Sequence, residues 1–298
     1  MERRTLGRTG LEVSLLGFGG SEIGFLAPEP ADVDRLLNEA LDLGLNVIDT
    51  AECYMDSEAR IGRFVSKRRD EFHLFSKLGH RFENGPDLPD WHPDLLRASI
   101  DHSLSALQVE HLDLLQVHSC RAEVLEVVIP IIERAKADGK TRFLGYSGDG
   151  ADAVKAMETG VFDVLQTSCN IADQESIGLL LPIAKAKNIG VIVKRPIANV
   201  AWINGDEPPA RPYAMTYWER LQKLRYPFLG LPLAKSVSTA LRFTAAQDIS
   251  TMIVGTTKPG RWPENAAMLA AGPLPPEDVA AIRERWTEVA EPSWVGQT

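Results

Sequence analysis

Eight short apolar runs, separated by helix-length amphipathic stretches, constrain this chain more than any other feature. The runs are Leu15–Gly19, Asn46–Asp49, His73–Lys77, Leu112–His118, Phe143–Ser147, Val164–Cys169, Val191–Arg195 and Thr251–Gly255. Several, such as Leu112-Asp-Leu-Leu-Gln-Val and Val191-Ile-Val, lack polar alternation, as strands buried on both faces do. Between them, Val33, Leu36, Leu37, Ala40 and Leu41 form one helical stripe stopped at Gly44, and Ser57 is placed to cap a helix carrying Ile61, Phe64 and Val65. Pro93 opens another helix, and a last one carries Val279, Ile282 and Trp286. Repeated strand–helix units give a parallel sheet, and eight of them give a closed α/β architecture, the (β/α)8 TIM barrel. The rival is an open doubly wound sheet; Gly17-Phe-Gly-Gly20 lacks the glycine spacing such a sheet uses for a dinucleotide. No linker interrupts the pattern, so residues 1–298 read as a single barrel domain. Arg3–Val13, turning at Arg8-Thr-Gly10, reads as an N-terminal β-hairpin on the barrel floor.

Composition narrows the class of partner. A net charge of −9 argues against broad binding to nucleic acid or an anionic membrane, which needs a basic surface. No apolar stretch approaches the ~18 residues of a membrane span, and the start Met1-Glu-Arg-Arg-Thr-Leu-Gly lacks a signal-like apolar region. Three cysteines, odd in number and far apart, suit a reducing cytoplasm better than a disulfide framework. Cys53, Cys120 and Cys169 lack the closely paired ligands of zinc motifs, so no metal is expected.

Four residues able to run one proton-and-hydride reaction fall where strands end. Asp49, Lys77 and His118 close three of the runs, and Tyr54 follows Asp49 by a short loop. The carboxyl ends of strands are where barrels of this kind place their chemistry. Reducing a carbonyl takes a hydride on carbon and a proton on oxygen. Tyrosine is a weak acid, but a nearby ammonium stabilises its phenolate. Tyr54 is therefore read as the acid, Lys77 as its tuner, Asp49 as the anchor of that lysine, and His118 as the group that orients the carbonyl oxygen. Glu52, Asp56 and Glu58 cluster nearby and read as helix-capping acids. A glycosidase built on them would leave Lys77 unexplained.

On these residues the chain resembles the aldo-keto reductases. Asn46-Val-Ile-Asp49-Thr-Ala-Glu-Cys-Tyr54, with Asp56-Ser-Glu-Ala-Arg-Ile-Gly62, is similar to that family's signature. Phe75-Ser-Lys77 and Leu114-Leu-Gln-Val-His118 are similar to its lysine and histidine motifs, and the likeness runs from Thr5 to about Asn265. The resemblance implies reversible carbonyl reduction of a small molecule with NADPH, NADH being the alternative. It further implies that Gln166, Asn170 and Ser147 hold the nicotinamide carboxamide, with Gly148 in place of a frequent asparagine. Lys194 and Arg195 stand where many members have an aromatic residue and a serine, and are read as covering the nicotinamide or meeting the pyrophosphate. Gly255-Thr-Thr-Lys-Pro-Gly-Arg-Trp-Pro-Glu-Asn265 is similar to the adenosine-phosphate loop. In that loop, whose Gly255 is counted among the cofactor-binding residues, Thr256, Lys258 and Arg261 would face the 2′-phosphate, with Glu264 and Asn265 near the adenine. A nucleotide-sensing regulatory subunit with little turnover is the competing function.

Two segments are too long for plain connections, His80–Trp91 and Asn199–Gly230, and long ordered loops usually serve function. Phe25, Trp91 and Trp202 are read as walls of the substrate pocket. Neither the natural substrate nor an oligomeric state is legible at this level.

Overall fold

In the computed structural model, which describes residues 1–297, the eight runs close into a parallel barrel. Thr298, the last residue of the expected 1–298 unit, lies outside the described residues. The strands are β1 (Arg3–Thr5), β2 (Glu12–Ser14), β3 (Leu16–Gly19), β4 (Val47–Asp49), β5 (His73–Leu78), β6 (Leu112–His118), β7 (Thr141–Ser147), β8 (Val164–Ser168), β9 (Gly190–Lys194) and β10 (Thr251–Val254). Barrel order is β10-β3-β4-β5-β6-β7-β8-β9, with β10 pairing back onto both β3 and β9. β1 and β2 form the antiparallel hairpin, Arg3 opposite Ser14.

Side chains two apart on a strand share a face, and this arithmetic builds the site. The lower interior layer contains Val47, Phe75, Leu114, Val164 and Ile192, packed with Leu6, Leu11 and Val13 of the hairpin segment. The hairpin therefore plugs the floor. One step of two residues up the same strands stand Asp49, Lys77, Gln116, Gln166 and Lys194. Every apolar floor residue thus has a polar residue above it, at the carboxyl end of the barrel.

Several local expectations are corrected. Asn46 lies outside β4; its side chain accepts from Ser14 N at 2.6 Å and donates to Glu12 O at 2.8 Å, fastening hairpin to barrel. Cys169, Arg195 and Gly255 fall just past their strands, whereas β7 begins earlier, at Thr141. Ser57 does not cap the helix Ser57–Val65 but is its first residue. Its Oγ donates to Gly20 O at 2.8 Å and meets Thr50 Oγ1 at 2.9 Å, since buried polar groups take whichever partner lies in reach.

The long segment after β9 is ordered. Its helix Met215–Leu224 packs Tyr217, Leu221 and Leu224 into a second apolar cluster with Trp202, Tyr226, Phe243, Trp286 and Trp294. No helix among the described residues is long and apolar enough to cross a membrane.

Candidate active site

Asp49, at the end of β4, is buried and accepts from three side chains. Lys77 Nζ donates to its Oδ1, while Gln116 Nε2 and Gln166 Nε2 each donate to Oδ2 at 2.8 Å. The same Nζ donates to Thr50 O at 2.8 Å and stands 5.0 Å from the Tyr54 ring centroid. Burial opposes the charge on Lys77, but the Asp49 carboxylate beside it holds its pKa above the ordinary lysine value. Burial pushes the Tyr54 phenol up, and Lys77 pulls back only part of that rise. Tyr54 is therefore held as a protonated phenol rather than resting as phenolate.

His118 packs edge-on against Tyr54, ring centroids 5.6 Å apart. Burial first, then the Lys77 charge, hold its pKa well below the usual histidine value, so the ring is neutral near pH 7. Cys53 Sγ lies 3.5 Å from Nδ1. Burial and then Glu52 push the Cys53 thiol up, which keeps it an S–H. A thiol facing Nδ1 leaves the ring proton on Nε2, where it can donate to a substrate oxygen.

Five rings form an arc around the mouth. Phe25 lies 5.6 Å from Tyr54, Tyr54 5.6 Å from His118, His118 5.1 Å from His80 and His80 5.3 Å from Trp91. The structure thus brings Phe25 and Trp91 to the site as expected. It adds His80, which sequence reasoning passed over, although it heads the long loop only three residues beyond Lys77. Gly79 (φ 142°) makes the arc possible, since a Cβ there would stand 2.3 Å from the Trp91 ring.

Trp202 does not join that wall. It is 6 % exposed in the second apolar cluster, and its Nε1 donates to Ser236 Oγ at 2.9 Å. Its sequence neighbourhood resembles a loop, but the segment folds inward there to bury aromatic area.

The expected nucleotide residues divide into two groups. At the barrel mouth, Ser147 Oγ donates to Gln166 Oε1 at 3.1 Å, so both side chains belong to the Asp49 network. Asn170 is buried, donating to Arg195 O at 3.0 Å and accepting from Ala172 N at 2.8 Å. Lys194 pairs with Asp149 at 3.0 Å, and Asp149 also accepts from Thr167 Oγ1 at 2.6 Å and Ser168 N at 2.7 Å. Burial lowers the Lys194 pKa and Asp149 restores part of it. Arg195 donates to Tyr213 Oη at 2.5 Å, to Ser168 Oγ at 2.8 Å and to Gln297 O. Lys194, read as covering the nicotinamide or meeting the pyrophosphate, has a buried counter-ion in Asp149. Asp149, next to Gly148, carried no signal until β7, β8 and β9 were brought side by side.

The loop after β10 is open. Lys258 is exposed, Thr256 Oγ1 accepts from Lys258 N at 3.1 Å, and Gly260 (φ 86°) leads into the helix Arg261–Ala270. Arg261 pairs with Glu264 at 2.6 Å on the surface, and Asn265 turns inward, 7 % exposed. A Cβ at residue 255 would stand 1.5 Å from Glu22 Oε2, so Gly255 is the residue that lets the first βα segment lie against this loop.

Glu52 and Glu58 are not caps. Glu58 Oε1 accepts from Ser76 Oγ on the outward face of β5, and Glu52 Oε1 accepts from His80 N at 3.1 Å. Burial pushes Glu52 up to about 8 and Glu58 up to about 7.

Comparison with known proteins agrees with this geometry. The model of the aldo/keto reductase family matches residues 15–287. L-galactose dehydrogenase of Arabidopsis thaliana is 30 % identical over 90 % of this chain and 88 % of its own length. D-threo-aldose 1-dehydrogenase of a Pseudomonas species is 27 % identical over 95 % and 94 %. Among solved structures, the holo form of an aldo-keto reductase from Bacillus halodurans superposes with a TM-score of 0.82 at 25 % identity, covering 96 % of each chain.

Proposed function

Because the chain belongs to the aldo/keto reductase family and is an oxidoreductase, we propose that it reversibly reduces an aldehyde or ketone to an alcohol, with NADPH as hydride source and Tyr54 as proton donor. The observation that carries this reading is Lys77, whose ammonium is fixed by Asp49 and faces the Tyr54 ring.

The residues present fit a phosphorylated dinucleotide at two ends. Lys258, Thr256 and Arg261 stand at the start of a ten-residue helix, whose dipole favours an anion. Ser147 and Gln166 offer amide and hydroxyl partners at the mouth. When bound, the nicotinamide supplies the hydride for the carbonyl carbon. Every other step falls to side chains described above. His118 Nε2–H orients the carbonyl oxygen, Tyr54 O–H passes its proton to that oxygen, and Lys77 stabilises the phenolate left behind. Asp49 keeps Lys77 charged and fixed throughout.

Relatives named for L-galactose and D-threo-aldose favour a sugar-derived carbonyl. The ring arc supports that choice, because aromatic faces with the His80 ring between them suit a polyol bearing both C–H and O–H surfaces. Three unpaired thiols fit a reducing cytoplasm.

The test is NADPH oxidation, followed by near-ultraviolet absorbance, with an activated aromatic aldehyde and a panel of aldoses. Wild type should turn over, and Tyr54→Phe should lose about 10²–10⁴-fold while still quenching NADPH fluorescence on binding. Binding by both proteins with turnover by neither would instead make the chain a nucleotide sensor.

A further inference from the structure

The barrel mouth contains a ligand set of which the reductase chemistry uses only the histidine. One carboxylate oxygen of Glu52, Cys53 Sγ and a ring nitrogen of His118 lie within 4.8 Å of one another. Oε1 of Glu52 takes the His80 N–H at 3.1 Å, but Oε2 is buried with no hydrogen-bond partner. Glu52 itself is only 1 % exposed, and unpartnered carboxylate oxygens at such depth are rare and costly. Proton transfer from Tyr54, tuned by Lys77 and Asp49, gives that oxygen no task.

We propose that Glu52, Cys53 and His118 form a three-ligand site for a thiophilic divalent cation, Zn2+ in the first instance, whose occupancy inhibits the enzyme. Tetrahedral zinc binds sulfur at ~2.3 Å and imidazole nitrogen at ~2.0 Å, which sets their separation at about 3.5 Å. The Cys53 Sγ–His118 Nδ1 distance is 3.5 Å. A carboxylate, a thiolate and an imidazole satisfy zinc's mixed preferences, and hard cations such as Mg2+ would not choose sulfur. As the metal binds, Cys53 and the Glu52 carboxyl, which burial keeps protonated near pH 7, each release a proton to solvent. The fourth position faces the mouth beside Tyr54, so the bound cation locks the imidazole and takes room that the carbonyl needs. Cys120 and Cys169 are 2 % and 0 % exposed and are not members of the set.

The site is tested first without turnover, so its failure is separable from failure of the reductase reading. Co2+ titrated into the full-length protein should give a near-ultraviolet thiolate-to-metal charge-transfer band with tetrahedral visible bands. Cys53→Ser should abolish the charge-transfer band, and Glu52→Gln should weaken Co2+ affinity at least tenfold while retaining the band at saturation. Near-ultraviolet and far-ultraviolet dichroism of each variant shows whether it is folded. With turnover measured, micromolar Zn2+ should inhibit wild type, EDTA should reverse the inhibition, and Cys53→Ser should need at least tenfold more Zn2+ for half its own activity. No charge-transfer band in wild type, an undiminished band in Cys53→Ser, or equal Zn2+ sensitivity of the two proteins would overturn the proposal.

Discussion

Lys77 Nζ faces the Tyr54 ring from 5.0 Å while it donates to the Asp49 carboxylate, so one ammonium serves a buried ion pair and a phenol together. In the proposed mechanism the pair is structural and the phenol chemical, and the two roles are separable. Lys77→Met should remove turnover and also cost about 3–5 kcal/mol of stability, because Asp49 is left as a buried charge. Adding Asp49→Asn should restore most of the stability and none of the turnover. Urea denaturation alongside NADPH oxidation reads both; a double variant regaining activity would contradict the tuning role of Lys77.

Lys194 and Asp149 form the other buried pair at the mouth. If that lysine is structural, Lys194→Met should lower the thermal midpoint markedly and change the Kd for NADPH by less than about threefold, about 0.6 kcal/mol. A tenfold weaker Kd would return Lys194 to the nucleotide site.

Lys258 on the open loop and Arg261 at the start of the helix after it are exposed, and the proposed reading sets both against a 2′-phosphate. Replacing both by Ala should raise the Kd for NADPH by roughly 1–3 kcal/mol of binding energy, on the scale of charge-assisted hydrogen bonds. The Kd for NADH should barely change. Equal losses for both nucleotides, measured by fluorescence titration, would remove the basis for preferring NADPH.

Two tryptophans expected in one wall should behave as opposites. Trp91→Ala should raise KM for an aromatic aldehyde with little effect on the thermal midpoint. Trp202→Ala should cost about 3–5 kcal/mol of stability and leave KM near its original value. Gly79→Ala should mimic Trp91→Ala, since the new Cβ would displace that ring.

Asp173 gives a pH signature. Burial, then Asp149, push its carboxyl up to about 7, against the pull of Arg220 at 3.8 Å. A folded pKa above the unfolded value means that its contribution to stability is complete below about pH 4 and is lost as pH rises through 7. Asp173→Asn should therefore match or fall slightly below wild type at pH 4 and melt at a higher temperature than wild type at pH 9. An unchanged gap between the two melting curves across this range would show that Asp173 does not titrate as its surroundings dictate.

The eight-strand pattern and the four strand-end residues were legible because both follow from local periodicity. Val47 to Asp49, Phe75 to Lys77 and Leu114 to Gln116 are two-residue steps, and any strand that buries the first must present the second one layer higher. Phe25 and Trp91 were likewise readable from their positions in the first and third βα loops. Trp202 was not, because an aromatic in a long segment carries the same signal whether it lines a cavity or fills a core. Nor were the partners of Lys194 and Glu52. Asp149 lies 45 residues before Lys194, and only the closure of β7, β8 and β9 sets one carboxylate against that ammonium.

The sequence by itself therefore determined the barrel, its plugged floor and the residue proposed for proton transfer, since strand period and residue chemistry are local properties. Tertiary structure alone decided which charges are free. Lys258, in the loop after β10, remains exposed, and Lys194, at the end of β9, is paired. The difference is whether barrel closure brings a carboxylate within about 3 Å, and Coulomb attraction at that range in a buried site outweighs any preference encoded along the chain.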